Sequence, residues 1–476
     1  MEEKTLTDES RINKGPRIGV RHVQMLLMAL IGFLMYYTRF GFSVSLVAMT
    51  NKYSPNPDVP YYNWTNKSFI LSTFFWGYVI PQIPVGILGT KFGMKNFLLL
   101  ALLINSLCMV VIPSVAERFG SEGVMACRII QGIGQGLVVP CLHGIIGKWA
   151  LPNERCRVYG YMSTGYILGT VAGAGANGYI CASWIGWPLT FYLIPSLGFV
   201  LAFFYYMYGA TCPATHKTIS EEERTYIESK LKSQNIYNVP IPYRDIFTSK
   251  PFLAQLTMAL CSGWGYSIFT TEMPIYMDKV MKLNIESNGL VSSLPSVFVL
   301  LTINVATHLA DLLVKRNYLS ITNTRKLMSA TGSLGCAGLL FLFVTIPTDS
   351  ELFCVLTLAL AYGFRSFNCG GYSTNHLDLA PNFSAALMGI INTSSEIFSS
   401  ITPLSIHYIV YDESDKSLWR IVFIIAVVLY VFSTCVYLVF ASGEAQPWNY
   451  TPVRQNADAT PTDRTTDSEQ EKSQLV

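Results

Sequence analysis

The chain has 476 residues, of which 51% are hydrophobic and only 13% charged, with a mean hydropathy of +0.36. Soluble domains carry roughly 25% charged residues, so too few charges are present to coat a water-facing surface, and the membrane class follows. A net charge of +3 gives no case for a nucleic-acid partner, and the eleven cysteines are scattered without a C-x-x-C pair, which argues against a disulfide scaffold or a zinc site.

The chain opens on a polar stretch, Met1 to Gly19, and the first apolar run is too long for the h-region of a cleavable signal. A spanning helix needs about 20 mainly apolar residues. Such runs are expected near 23–49, 69–89, 96–114, 122–148, 158–180 and 184–208. They resume near 251–278, 288–314, 326–346, 352–374, 384–409 and 418–441. The expectation is an all-α membrane protein of about twelve spans. Residues 1–22 form a cytoplasmic N-terminus, 23–208 and 251–441 two six-helix halves, 209–250 a cytoplasmic linker with one short helix, and 442–476 a disordered cytoplasmic tail. The tail composition (Asp458, Thr460, Thr462, Asp463) is that of a chain unable to bury a core.

Basic residues set the orientation. Loops holding Lys91, Lys95, Arg155, Arg157, Lys315 and Arg325 outnumber in charge those holding Lys52, Lys67, Arg118 and Lys279, which places both termini in the cytoplasm. The sequons at Asn63 and Asn66 then fall in the first outside loop, where glycosylation is expected, with Asn66 close to the second span. Those at Asn392 and Asn449 fall in a span and in the cytoplasm. Two six-helix halves on a long linker are a transporter arrangement with a midplane site. The halves echo each other faintly: Gly86-Ile87-Leu88-Gly89-Thr90 ends the second span and Thr307-His308-Leu309-Ala310-Asp311 the eighth.

Charged side chains near the bilayer centre are costly, so each is a functional candidate. Arg39 lies deep in the first span among Met35, Tyr36, Tyr37 and Phe40. Its planar fork suits a carboxylate or phosphate; a structural ion pair is the other reading. Arg128 lies two turns into the fourth span, within reach of outside water. The nearby Gly132, Gly134 and Gly136 sit in an apolar helix and read as close packing rather than a nucleotide loop. Arg365 and Glu396 fall at comparable depth in the tenth and eleventh spans. Either they neutralise each other, or Glu396, or Glu272 in the seventh span, handles a coupling cation. Glu272 beside Met273-Pro274 also fits a group facing the outer vestibule. His143 is either a packed histidine or one that titrates near neutrality. No acyl-transfer elbow, phosphate-cradling loop or H-E-x-x-H is present, so no enzyme is expected.

From about residue 22 to 440 the chain resembles the anion:cation symporters of the major facilitator superfamily, the group of sialin, the vesicular glutamate transporters and the type-I sodium–phosphate cotransporters, and most closely the insect branch named for inorganic phosphate cotransport. The resemblance rests on Tyr36-Tyr37-Thr38-Arg39 with Ser43-Val44, Arg128 with Gln131-Gly132, Pro140 and His143, Trp149 with Pro152 and Glu154-Arg155, and Asn375 with Leu377-Asp378, Ala380-Pro381 and Met388-Gly389. It implies that Arg39 binds the anion with Tyr36, that Arg128 and His143 serve recognition and coupling, and that Gly86, Thr90, Lys91, Gly93 and Asp311 form gating contacts. Gln135 stands where the family has an acid, Thr90 where the superfamily loop has one, and Ser262 where vesicular glutamate transporters have an arginine, so Glu272 and Glu396 are candidates to replace the missing acid. The expected function is cation-coupled symport of inorganic phosphate or a small organic anion by a monomer in the plasma membrane. Sodium or protons are co-transported and no bound cofactor is needed. A vesicular or lysosomal organic-anion carrier and a non-transporting receptor or scaffold are the alternatives.

Overall fold

The computed structural model describes residues 19–52, 56–64, 66–231, 241–281, 285–346 and 350–450. Every regular element among them is helical. The first span is a helix over Val20–Met49, starting three residues before the apolar run because the linker caps it: both Glu223 carboxylate oxygens accept from the backbone amides of Val20 and Arg21, at 2.9 and 3.1 Å. A carboxylate at a helix N-terminus satisfies amides left without intrahelical partners. The second span is two helices, Lys67–Val79 and Gln82–Phe92, broken at Pro81. The third and fourth run through Met94–Gly136 and Val138–Trp149, parted by Gly120 at φ 62°. The fifth and sixth are Arg155–Ala182 and Pro188–Tyr208.

The seventh span comprises Lys250–Ser267, a π-helical turn Ile268–Glu272 and Met273–Lys279. The turn sits where Pro274 lacks the amide that would bond one turn back. Ile285–Lys315 and Ile321–Thr345 are the eighth and ninth spans. The tenth is discontinuous: Glu351–Arg365, a 3-10 turn Ser366–Gly370, then Tyr372–Leu379. Gly370 and Gly371 permit this close approach, since a Cβ on Gly371 would meet Ser329 Oγ of the ninth span at 2.2 Å. Ser384–Ile409 and Lys416–Phe440 complete the set.

Among the described residues eight helical stretches are long and apolar enough to cross a membrane; one of them, Met94–Trp149, contains both the third and the fourth span. The other three spans, the fifth, seventh and eleventh, are too polar to qualify, because their inner faces carry Ser163, Thr170, Gln255, Thr270, Asn392, Ser395, Glu396 and Ser399 along a central cavity. Their polarity is the imprint of what they line.

Two expectations are corrected. The linker holds Pro213–Thr215, Glu221–Leu231 and Tyr243–Thr248 rather than one helix. The tail is folded as far as residue 450: Trp448 and Asn449 are buried in the turn Pro447–Tyr450, and Asn449 Oδ1 accepts from the Asn382 amide at 3.2 Å. Residues 1–18 and 451–476 lie outside the described residues.

Candidate functional site: a cavity between the two halves

A cavity of about 420 Å³ lies between the halves. Tyr36, Phe40, Tyr159 and Tyr166 form its N-terminal wall; Tyr266, Phe269, Tyr362, Arg365, Asn368, Tyr372 and Glu396 stand on the C-terminal side. Tyr36 stacks on Tyr166, ring centres 4.4 Å apart. The first and fifth helices can bring these rings together because Gly165, Gly169 and Gly173 run along the fifth helix against the backbone carbonyls of Ala29, Phe33 and Tyr37. The glycines of the fourth span do the same, Gly132 and Gly136 facing the carbonyls of Phe74 and Tyr78.

The charges pair differently from the simplest sequence reading. Glu396 pairs with Arg39 of the opposite half, Oε2 to Nη2 at 3.8 Å, and not with Arg365. The Arg39 guanidinium is not itself in the cavity wall. It stands directly behind Tyr36, Phe40 and Glu396, enclosed by the rings of Phe75 at 4.9 Å and Tyr78 at 4.8 Å. Tyr78 in turn accepts from Asn392 Nδ2 at 3.2 Å, and the same amide donates to Gln82 at 2.7 Å. Asn392 is one helical turn before Glu396, so the eleventh helix meets the second with both residues on one face. Arg365 lines the cavity with Tyr266 and Tyr362 at 5.1 and 6.0 Å.

Arg128 does not reach outside water. It is 2% exposed, donates to Gln131 at 2.6 Å, and lies over the rings of Phe42 and Phe74 at 4.1 and 4.6 Å. Gln131 and Gln135 both donate to Asn105, and Gln135 also to Thr38 at 2.9 Å. Gln135 is thus built into an amide network inside the N-terminal half, in a place where it carries no charge. Glu272 is buried at the end of the π-helical turn rather than facing a vestibule, and lies outside the cavity wall, as does Ser262.

At the end of the bundle where the linker packs, the halves are bonded shut. His143 Nδ1 meets His376 Nε2 at 2.9 Å, and Gln255 donates to His376 Nδ1, which leaves the His376 proton on Nε2, directed at His143. Asp378 receives Arg155 at 2.9 Å and Arg325 at 2.7 Å. Arg325 also contacts the Cys156 thiol. Asp311 accepts from the amides of Cys156 and Arg157 at the start of the fifth helix, at 3.2 and 2.8 Å. Gly86 packs against Ala385 and Ala386 at the start of the eleventh, where a Cβ would lie 2.6 Å from Ala386 Cα. Lys91 is exposed beside Phe92, and Gly93 takes φ 86° to start the third span; the Thr90 side chain lies outside the described residues.

Arg155, Arg325, Asp378, His376 and Gln255 draw no functional assignment from the sequence, where the first two count as loop charges and Arg155 and Asp378 also belong to the motifs of the resemblance. The available signal was Asp378, an acid at the end of an apolar span with no partner on its own helix. In the loop between the first two spans, Asn63 is exposed, whereas Asn66 Nδ2 is engaged with Ser121 at 3.2 Å.

Two gated six-helix halves around a charged central cavity define a membrane transporter, and residues 28–403 match the model of the Major Facilitator Superfamily, to which the chain belongs. Within it the chain falls in the type-I phosphate/anion cotransporter group. It is 33% identical over 440 residues to a Drosophila ananassae protein named "Putative inorganic phosphate cotransporter", covering 87% of this chain and 91% of that one. It is 32% identical to vesicular glutamate transporter 1 of Bos taurus, covering 90% and 78%. Among solved structures it is similar to the proton:xylose symporter XylE at TM-score 0.65 and 15% identity, covering 89% and 97%. A bacterial homologue of the iron transporter ferroportin in its outward-facing state also scores 0.65, at 12% identity, covering 88% and 99%. These two likenesses bear on the fold alone.

Proposed function

We propose that the protein carries inorganic phosphate or a small organic anion by cation-coupled symport, using sodium or protons, with the two halves rocking about the central cavity. One observation carries this reading: Arg39 from one half and Arg365 from the other flank a single cavity, and Glu396, the one acid among the described lining residues, is paired across the halves. A carboxylate that bonds the first guanidinium competes with any anion for it. Neutralising Glu396 by a proton or a sodium ion therefore releases Arg39 to the anion, which couples the two loads. Glu272 is not among the lining residues, so the coupling role is assigned to Glu396.

The protein acts as a monomer in the plasma membrane; its similarity to vesicular glutamate transporters supports an intracellular vesicle membrane as the second location. The intact cavity and inter-half gate support transport over a scaffold role. The test is uptake of radiolabelled phosphate, glutamate, sialate and urate into proteoliposomes, with and without an inward sodium or proton gradient. Uptake of at least one anion is expected, stimulated several-fold by one gradient. Glu396→Gln is expected to keep anion movement while losing that stimulation. A variant as gradient-driven as the parent rules out Glu396 as the coupling acid.

A further inference from the structure

Two guanidiniums flank the cavity, Arg365 in its wall and Arg39 behind it, and among the described residues only Arg39 is paired with a carboxylate. Arg39 has Glu396 at 3.8 Å and rings on several sides. Arg365 lines the cavity, is in no ion pair among the described residues, and its buried Nε has no hydrogen-bond partner. Tyr266 and Tyr362 offset part of the cost of holding it there, as aromatic faces do for a cation. They accept no bidentate hydrogen bonds.

Three residues along, Asn368 also lines the cavity. Its side-chain oxygen accepts from Ser333 Oγ at 3.1 Å, which leaves Nδ2 as a buried donor without a partner. The break in the tenth span places both groups on one wall: Arg365 ends the helix and Asn368 lies in the 3-10 turn that follows. Unsatisfied donors in a low-dielectric site are costly unless a ligand completes them. Two adjacent donor groups, one a planar cation, match an oxyanion that presents at least two oxygens.

The geometry points to Arg365, with Asn368 Nδ2, as the anchor on which the anion first lands in this inward-closed state, Arg39 joining as second anchor only after Glu396 is neutralised. This rests on the transport reading above and adds to it an order of events and a residue. Carboxylates and phosphates share the required chemistry. Arg128, a third buried guanidinium, lies outside the cavity wall, bonded to Gln131 and covered by the rings of Phe42 and Phe74.

The test is equilibrium binding and uptake of radiolabelled inorganic phosphate and glutamate, using the full chain in nanodiscs and proteoliposomes. Arg365→Gln should raise the apparent Kd and KM of the bound anion at least tenfold. Arg365→Lys, which keeps the charge and loses the fork, should raise them less. Glu396→Gln should tighten binding about threefold by releasing Arg39. The double variant Arg365→Gln/Glu396→Gln should bind about threefold tighter than Arg365→Gln. A purely structural Arg365 gives a loss that Glu396→Gln does not lessen, and that result overturns the assignment. An unchanged KM in Arg365→Gln overturns it too while leaving the transport reading intact. A parent protein that binds and moves neither probe overturns this anchor for both. If Arg365→Gln does not fold, Arg365→Lys decides: an unchanged Kd and KM overturns the assignment. Should the parent move sialate or urate instead, the transport reading survives.

Discussion

At the scale of single residues, the Arg39–Glu396 pair shows why a charge deep in a helix cannot be read alone. Placing a guanidinium in the bilayer interior is costly, and the cost is met here by a carboxylate from the other half together with the faces of Phe74, Phe75 and Tyr78. Removing one partner of a buried pair leaves the other uncompensated, at about 3–5 kcal/mol. Glu396 retains 19% of its side-chain exposure, so the low end of that range, about 3 kcal/mol, applies. Arg39→Ala is therefore expected to lower the unfolding temperature of the purified protein more than the double variant Arg39→Ala/Glu396→Ala does. A double variant less stable than Arg39→Ala shows that the pair is not a coupled unit.

Single elements are governed by how closely their backbones approach. The fifth helix presents glycine at positions 165, 169 and 173, one per turn, and a Cβ on Gly169 would lie 2.2 Å from the Phe33 carbonyl oxygen. No flexible side chain can yield there, since the atom met is backbone of the first helix, the one that holds Arg39 and Tyr36. Gly175, two residues beyond the row, has nothing within 4 Å of an added Cβ. Gly169→Val should lose roughly 1–3 kcal/mol through overpacking and reduce the yield of monodisperse protein. Gly175→Ala should behave as the parent in the same size-exclusion assay. Equal yields for the two would mean that the first and fifth helices are not held at this spacing.

At the scale of the whole molecule, alternating access requires a seal on one side that is strong but breakable. Asp378 holds Arg155 of the N-terminal half and Arg325 of the C-terminal half at once, all three side chains at most 5% exposed. Asp378→Asn leaves two buried guanidiniums on an amide, which should shift the population toward a state open to the cytoplasm. Cys156, fully buried beside Arg325, is a built-in reporter. Its modification by a membrane-permeant maleimide, followed by mass mapping of that one thiol, should be at least tenfold faster in Asp378→Asn. An unchanged rate indicates that the seal rests on other contacts.

Much of this was legible in the chain itself. Composition and apolar run length gave the twelve spans, because a bilayer of fixed thickness imposes a fixed element length. Arg39, Arg365 and Glu396 stood out as charges in oil. The partition among those charges was not legible. Arg365 and Glu396 sit at similar depth on neighbouring spans of one half, yet Glu396 turns to Arg39 across the molecule. Arg155 and Arg325, placed in basic loops by the sequence, are buried on Asp378. Depth along a helix axis follows from sequence position alone, whereas direction around the axis and the choice of facing helix depend on how twelve helices pack. In this protein the amino-acid sequence determined which residues are in the membrane, and only the tertiary structure decided which of them meet.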